Sequence, residues 1–187
     1  MAKSEVLVLE EKEKGIVILY TGQGRGKTTA ALGLCMRATG WGKKVCIIQF
    51  FKSEDFICGE KIFCREKGIE LHSMGIGYTW KKTPQEQKDS LQTAWKLAEE
   101  KLQDESYDLV VLDEVLHVFQ KREYSFEDIL SEEKLIQALQ NRLVTDVVLT
   151  GRGASERLIT FSDMVTEMVC IKHPWQKGIA ARKGMEY

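Results

Sequence analysis

The chain has 187 residues, which is enough for one domain with a sizeable buried core. Its 27 Lys and Arg residues nearly balance its 28 Asp and Glu residues, so the net charge of -1 provides no general field for holding nucleic acid or an anionic membrane. No apolar run approaches the roughly 20 residues that span a bilayer, and the charged start MAKSEVLVLEEKEKG is unlike a signal peptide, so we expect a soluble, cytoplasmic protein.

Strand-like and helix-like segments alternate along the chain. Near-continuous apolar runs rich in Val and Ile predict parallel strands that are covered on both faces. These runs are residues 15–21, 44–51, 107–115 and 145–151, with weaker strand candidates at residues 68–75 and 163–173. Between them, the apolar spacing predicts helices over residues 27–39, 84–103 and 132–141. This alternation predicts a single-domain α/β fold around a mostly parallel sheet.

Local signals mark the start of the second predicted helix and of the domain. Thr83 suits the N-cap of the helix over residues 84–103, and Pro84 suits its first turn. We place the domain at residues 15–187. The preceding residues 1–14 are charged, and this favours disorder without ligand over folding across a bound substrate.

The cysteines and histidines do not predict a metal or redox site. The cysteines are odd in number and include no C-x-x-C pair: Cys35, Cys46, Cys58, Cys64 and Cys170. Neither a disulfide framework nor a zinc site is indicated, so we expect buried or inert thiols. The three histidines are scattered, and packing is the expected role of His117.

A glycine-rich stretch, TGQGRGKTT, joins the first predicted strand to the first predicted helix. The usual phosphate-binding pattern is G-x-x-x-x-G-K-[ST], but here Thr21 stands at the place of its first glycine and Gly22 follows one place later. Three glycines, Gly22, Gly24 and Gly26, allow a sharp turn that aims backbone N–H groups inward, and the helix N-terminus adds partial positive charge. The position in the fold therefore favours a phosphate-binding loop over an ordinary glycine-rich turn.

Three side chains of this loop would complete a nucleotide site. Lys27 would neutralise phosphate oxygens, and Arg25 would add a charge at the edge of the loop. The hydroxyl of Thr28 would ligate Mg²⁺. The predicted ligand is thus a phosphate compound with its divalent cation.

Two carboxylates end a neighbouring predicted strand. The run LVVLDE places Asp113 and Glu114 where a nucleotide site needs acidic groups, either to hold Mg²⁺ or to orient a nucleophile. A solvated acidic strand end would give the same pattern. The nearby glycine-rich loop favours the nucleotide-site interpretation.

The chain resembles the ATP:corrinoid adenosyltransferases of the P-loop type. Five ordered stretches carry the resemblance: TGQGRGKTTAALGLCMRATGWGKKV, QFFKS, GIGYTW, VVLDEV with TGRG, and KHPWQKGIAARKGMEY. The family's loop usually reads T-G-N-G-K-G-K-T-T, so its first glycine is displaced in the same way. The resemblance implies a single-domain P-loop NTPase fold of the RecA-like type, with helices on both faces of the sheet.

The resemblance also implies a reaction. A reduced Co(I) corrinoid attacks the ribose C5′ carbon of ATP and expels the whole triphosphate. Lys27, Thr28 and Mg²⁺ or Mn²⁺ would stabilise the charge that grows on the triphosphate, so no protein nucleophile is needed. The implied partners are ATP, a corrinoid, an electron-donating reductase such as a flavoprotein and a second copy of the chain, without nucleic acid or membrane.

Several residues match positions of the family that bind the nucleotide. The loop residues that align are Gly22, Gln23, Gly24, Arg25, Gly26, Lys27, Thr28 and Thr29, with Gln23 and Arg25 in place of the usual Asn and Lys. Arg37 matches an arginine that contacts ATP, although without the resemblance a surface cation would be the better interpretation. Arg152, just beyond a predicted strand end, could meet phosphate or a partner chain.

The resemblance gives roles to two carboxylates and two aromatic side chains. Glu114 matches an acidic residue near the ribose and the metal, and Asp113 matches the adjoining metal-binding carboxylate. Tyr78 and Trp80 match an aromatic pair that packs against the lower corrin face and displaces its axial ligand, which eases reduction to Co(I). The usual first aromatic is Phe, so the Tyr78 hydroxyl predicts less complete displacement. Filling a gap in the core is the alternative role of this pair.

Two other classes of protein share parts of the pattern. A nucleoside kinase of the thymidine kinase type has a similar loop and acidic strand end, but it is expected to carry paired zinc cysteines. A GTPase switch or ATP-driven motor is expected to carry an N-K-x-D motif or a basic face, and neither is present. A P-loop nucleoside kinase or other NTPase therefore stays the alternative to the adenosyltransferase.

Overall fold

A computed structural model describes residues 14–77, 82–120 and 125–186. Six strands form one sheet: β1 (Val17–Thr21), β2 (Val45–Ser53), β3 (Glu70–Gly75), β4 (Leu109–Asp113), β5 (Asp146–Thr150) and β6 (Met164–Glu167). Their order is β3-β2-β4-β5-β1-β6, and every neighbouring pair is parallel. The predicted α/β fold is confirmed, and the sheet is parallel throughout the described residues.

Among the residues that the structure describes, five α-helices and two short 3-10 helices accompany the strands. The α-helices are α1 (Lys27–Gly40), α2 (Gly59–Lys67), α3 (Pro84–Gln103), α4 (Glu132–Asn141) and α5 (Glu156–Phe161). The 3-10 helices cover Val115–Phe119 and Pro174–Lys177. Within the described residues, no helix combines the length and the apolar character that crossing a bilayer requires.

The helices cover both faces of the sheet, as expected. On one face, Ala31 and Cys35 of α1 and Cys64 of α2 pack with apolar side chains of the strands. On the other face, α3, α4 and α5 contribute to a larger apolar cluster. Because both faces are covered, the central strands are apolar at nearly every position instead of alternating.

The bounds of α3 and α4 agree with the sequence prediction, and the cap of α3 explains its start. The Thr83 hydroxyl accepts a hydrogen bond from the Glu86 N–H, and a Glu86 carboxylate oxygen accepts one from the Thr83 N–H. Pro84 occupies the first helical position. Two α-helices, α2 and α5, were missed, and the strand predicted over residues 107–115 ends at Asp113 because the backbone turns there.

Four of the five cysteines are buried thiols, as expected, and Cys170 is exposed. Burial raises the pKa of Cys35 and of Cys46 to about 12, so both thiols stay protonated near neutral pH. The disorder expected for residues 1–14 concerns residues outside those described, apart from Lys14.

The parallel topology brings four strand ends to one edge of the sheet. The carboxyl ends of β1, β2, β4 and β5 are neighbours in space, although they lie far apart in sequence. Ligands of open parallel sheets bind at this edge. The glycine-rich loop follows β1 and the acidic pair ends β4, so both predicted halves of the site lie at the same edge.

Candidate active site

The glycine-rich loop turns sharply between β1 and α1. Gly22 and Gly26 have positive φ angles of 95° and 109°, a region that side chains disfavour. Gly24 is needed for a second reason, because its N–H donates to the Met168 carbonyl at 2.6 Å and a Cβ there would lie 2.7 Å from that oxygen. Gly26 is also the N-cap of α1, and its lack of a side chain leaves the first-turn N–H groups open to an anion.

Lys27 lies over the loop that it follows. Its Nζ donates to the Gly22 carbonyl at 2.7 Å and to the Gly24 carbonyl at 2.6 Å. Burial lowers the pKa of Lys27, as does the nearby Arg152, whereas Glu114 acts in the opposite direction. The ammonium group is thus held inside the curve of the loop, where a phosphate group is expected.

Asp113 links the loop to the sheet. Its side chain is 1% exposed, and one carboxylate oxygen accepts hydrogen bonds from the hydroxyls of Thr28 and Thr150, each at 2.8 Å. The other oxygen accepts from Gln49 Nε2 at 3.2 Å, and Gln49 Oε1 in turn accepts from the Ser73 hydroxyl at 2.8 Å. Two of the three residues predicted to bind the metal, Thr28 and Asp113, are therefore in direct contact.

Glu114 has an unusual backbone. Among the described residues it is the one non-glycine residue with positive φ, at 64°, and its N–H donates to the Thr150 hydroxyl at 2.7 Å. Such conformations concentrate at functional sites. Burial and the neighbouring Asp113 raise the pKa of Glu114, while Lys52, Arg152 and Lys27 lower it. The strained turn thus directs this carboxylate into a group of cations.

An open cavity of about 690 Å³ lies at this edge of the sheet. This volume is in the range of small-molecule and cofactor sites. Its walls include these residues predicted from the sequence: Gly24, Arg25, Gly26, Lys27, Thr28, Thr29, Glu114 and Arg152. The other predicted residues differ in their placement. Gly22 and Asp113 contact the wall from behind, while Gln23 and Arg37 are exposed and lie outside the wall.

Tyr78 and Trp80 lie outside the described residues. The glycine before them, Gly77, has φ of 82°, and Gly75 passes so close to β2 that a Cβ would meet the Phe51 backbone at 2.2 Å. Their roles therefore stay a prediction from the resemblance.

Sequence reasoning missed several residues of the wall. Lys52 and Glu60 line the cavity from β2 and α2. His117 was expected only to pack, and its ring does meet Phe51 edge to face, but it also lines the cavity with Nδ1 3.9 Å from a Glu114 oxygen. The stretch QFFKS could have indicated Lys52, because its polar residues interrupt and follow an apolar run that predicts a buried strand.

The C-terminal segment closes one side of the cavity. Gly184, Met185 and Glu186 all line the cavity. Arg25 Nη1 donates to a Glu186 carboxylate oxygen at 2.7 Å, and Nη2 donates to the Met185 carbonyl at 2.8 Å. Arg25 therefore faces this segment at the edge of the loop, a contact between residues more than 150 positions apart that no local pattern predicts.

A glycine-rich loop that leads from a strand into a helix, with its threonine bonded to the carboxylate of a neighbouring parallel strand, is the arrangement of P-loop nucleotide-binding proteins. The fold and the site thus define the chain as a member of this class.

Comparison with known proteins identifies the family within the class. Residues 13–187 match the family described as ATP:corrinoid adenosyltransferase BtuR/CobO/CobP, and the chain belongs to this family. The corrinoid adenosyltransferase of Pseudomonas aeruginosa is 37% identical over 188 residues, which cover 98% of this chain and 89% of the relative. The corrinoid adenosyltransferase of Escherichia coli (strain K12) is 36% identical over 179 residues, with 95% and 88% covered. The corrinoid adenosyltransferase CobA of Salmonella typhimurium is 35% identical over 179 residues, which cover 95% of this chain and 88% of the relative.

Proposed function

We propose that the chain transfers the 5′-deoxyadenosyl group of ATP to the Co(I) centre of a corrinoid and releases triphosphate. The observation that carries this proposal is family membership across residues 13–187. The phosphate loop supports it, because Thr28 and Asp113 join the loop to the strand-end carboxylates. A nucleoside kinase or other NTPase is not favoured, since curated relatives matching nearly the whole chain are corrinoid adenosyltransferases.

In this reaction the cobalt electron pair forms a Co–C bond to C5′ while the C5′–O bond breaks. The triphosphate leaves with the electrons of the broken bond. The chain's contribution is electrostatic: the loop N–H groups and the Lys27 ammonium hold the triphosphate and stabilise its growing negative charge. Arg25 and Arg152, which line the same cavity, add positive charge at its sides.

Thr28 and Glu114 of the cavity wall, with Asp113 directly behind it, fit a magnesium or manganese ion. The Thr28 hydroxyl and the carboxylates of Asp113 and Glu114 are oxygen donors, which such hard cations prefer. We propose that these three residues hold the ion, which when bound neutralises part of the triphosphate charge. The Asp113 carboxylate, pinned by three hydrogen bonds, keeps the donor set in place.

Other roles come from the resemblance. We assign Glu114 to the ribose and metal, Gln23, Thr29 and Arg37 to ATP, and the pair Tyr78 and Trp80 to the lower corrin face. Arg37 is exposed near the end of α1, so its assignment requires the nucleotide to extend beyond the cavity wall.

The proposal is tested anaerobically with the protein, ATP, Mg²⁺ and chemically reduced cob(I)alamin. We expect the absorbance change of Co–C bond formation together with one triphosphate per product, and neither product when corrinoid is omitted. ADP with phosphate, or a nucleoside monophosphate from an added nucleoside, would identify an NTPase or a kinase instead. Comparing cobalamin, cobinamide and a cobyrinic acid derivative then gives the preferred corrinoid.

The homodimer, the flavoprotein reductase and the cytoplasmic location implied by the resemblance remain predictions. Sedimentation equilibrium tests the dimer, where a monomer at all concentrations would exclude it. Reduction of Co(II) corrinoid by a reduced flavoprotein, with and without the protein, tests the electron donor. Fractionation of the source cells tests the location.

A further inference from the structure

Lys52 extends from β2 over the edge of the sheet that carries the phosphate loop. Gln49 of β2 is in register with Asp113 of β4, so Lys52 lies three residues beyond the point where β4 ends its pairing. It lines the same cavity as Lys27 and Arg152. Its side chain is only 23% exposed, which is unusual for lysine.

Carboxylates hold the Lys52 ammonium at this position. Nζ lies 2.5 Å from a Glu60 oxygen of α2 and 3.9 Å from an Asp113 oxygen. The two carboxylates thus offset the cost of burying the Lys52 charge.

A buried ion pair of this kind needs an explanation. Removing two charges from water is costly, and replacement by apolar side chains is often neutral or stabilising. Lys52 and Glu60, whose side chain is 12% exposed, nevertheless face a cavity instead of the apolar core. This placement is typical of a charge kept for a ligand, not for the stability of the fold.

The sheet order places Lys52 opposite the phosphate loop. β2 and β1 are separated by β4 and β5, so their backbones lie three strand spacings, about 14 Å, apart. The Lys52 side chain spans part of this separation, because its Nζ lies 3.9 Å from an Asp113 oxygen of β4. Lys27 enters the cavity from the β1 side and Lys52 from the β2 side. A chain of linked phosphates is longer than one phosphate group, so it can meet a cation at each end of such a cavity.

We propose that Lys52 is a second polyphosphate-binding residue of this site, on the side away from the glycine-rich loop. The proposal deepens the proposed function and rests on it. The Nζ donors of Lys52 bind oxygens of the triphosphate, both in ATP and in the leaving group. The competing explanation is that Lys52 acts only through Asp113 and the metal.

The test measures binding of inorganic tripolyphosphate by calorimetry in EDTA, where an effect through the metal disappears. Loss of one charge-assisted contact should weaken binding by Lys52→Met roughly tenfold or more. Lys52→Arg, which keeps the charge, should recover most of that affinity. Lys67→Met is the matched control, because exposed Lys67 lies on α2, the helix that carries Glu60, but does not line the cavity. It should bind like the unaltered protein.

Wild-type affinity of Lys52→Met for tripolyphosphate in EDTA would overturn the proposal. If Lys52→Met does not fold, Lys52→Gln, whose amide can still reach Glu60, takes its place. Lys27→Ala distinguishes failure of the Lys52 role from failure of the whole phosphate site. Weaker tripolyphosphate binding by Lys27→Ala but not by Lys52→Met rejects only the role of Lys52. Unchanged binding by both variants rejects the phosphate site itself.

Discussion

Asp113 provides the strongest test of the site because its environment is fully specified. It is buried, and three side chains donate to it: Thr28, Thr150 and Gln49. Asp113→Ala removes the common acceptor and leaves three donors without it, of which Thr150 and Gln49 are buried and Thr28 is half-buried. Leaving one buried donor without its acceptor costs about 1–3 kcal/mol, so we expect the free energy of unfolding to fall by about 2–6 kcal/mol for the two buried donors, Thr150 and Gln49.

Asp113→Asn separates stability from chemistry. Its amide oxygen can still accept from both threonine hydroxyls, whereas its NH₂ faces the Gln49 NH₂ and loses that hydrogen bond unless the amide of Gln49 turns. We expect a smaller loss, about 1–2 kcal/mol for one buried polar mismatch. The lost negative charge should raise the Mg²⁺ concentration for half-maximal activity by about tenfold to a hundredfold.

Guanidinium unfolding followed by circular dichroism measures the free energy of unfolding of both variants. Triphosphate release at increasing Mg²⁺ concentration measures the Mg²⁺ requirement of Asp113→Asn. Asp55→Asn is the control, because it removes the same charge from an exposed turn. An Asp113→Ala variant as stable as the unaltered protein would refute the network's contribution. An Asp113→Asn variant with unchanged Mg²⁺ dependence would refute its place in the metal site.

Three further predictions test other regions. Lys27→Ala should lower kcat/KM for ATP at least tenfold, because charge-assisted contacts are worth roughly 1.5–3 kcal/mol; unchanged kinetics in a folded variant would contradict the phosphate-loop assignment. Trp80→Ala should bind ATP almost normally and lose more adenosylation from cob(II)alamin than from cob(I)alamin, and equal losses would exclude axial-ligand displacement. Burial alone would raise the pKa of Glu70, but hydrogen bonds from Lys101, Tyr107 and His72 lower it to about 2. The stability that these hydrogen bonds contribute is present above the unfolded pKa near 4.3 and is lost as pH falls toward 2. Glu70→Gln should therefore flatten the decline of Tm between pH 5 and 2. An unchanged decline would contradict this assignment.

The sequence determined the features that depend on neighbouring residues. The loop after β1 was predictable because its glycines, its lysine and the start of α1 lie within nine positions. The start of α3 followed from Thr83 and Pro84, since a capping residue acts within one turn. Asp113 was predictable as a strand end, although its hydrogen-bond donors were not.

Tertiary structure alone decided which distant segments meet at the cavity. The order β3-β2-β4-β5-β1-β6 places β2 beside β4, and this contact brings Gln49 and Lys52 to Asp113. The C-terminal segment reaches Arg25 from the other end of the chain. Nothing local specifies such contacts, because strand order follows from burying both faces of the whole sheet at once. The sequence therefore determined the chemistry of the loop, and the fold decided which charges surround it.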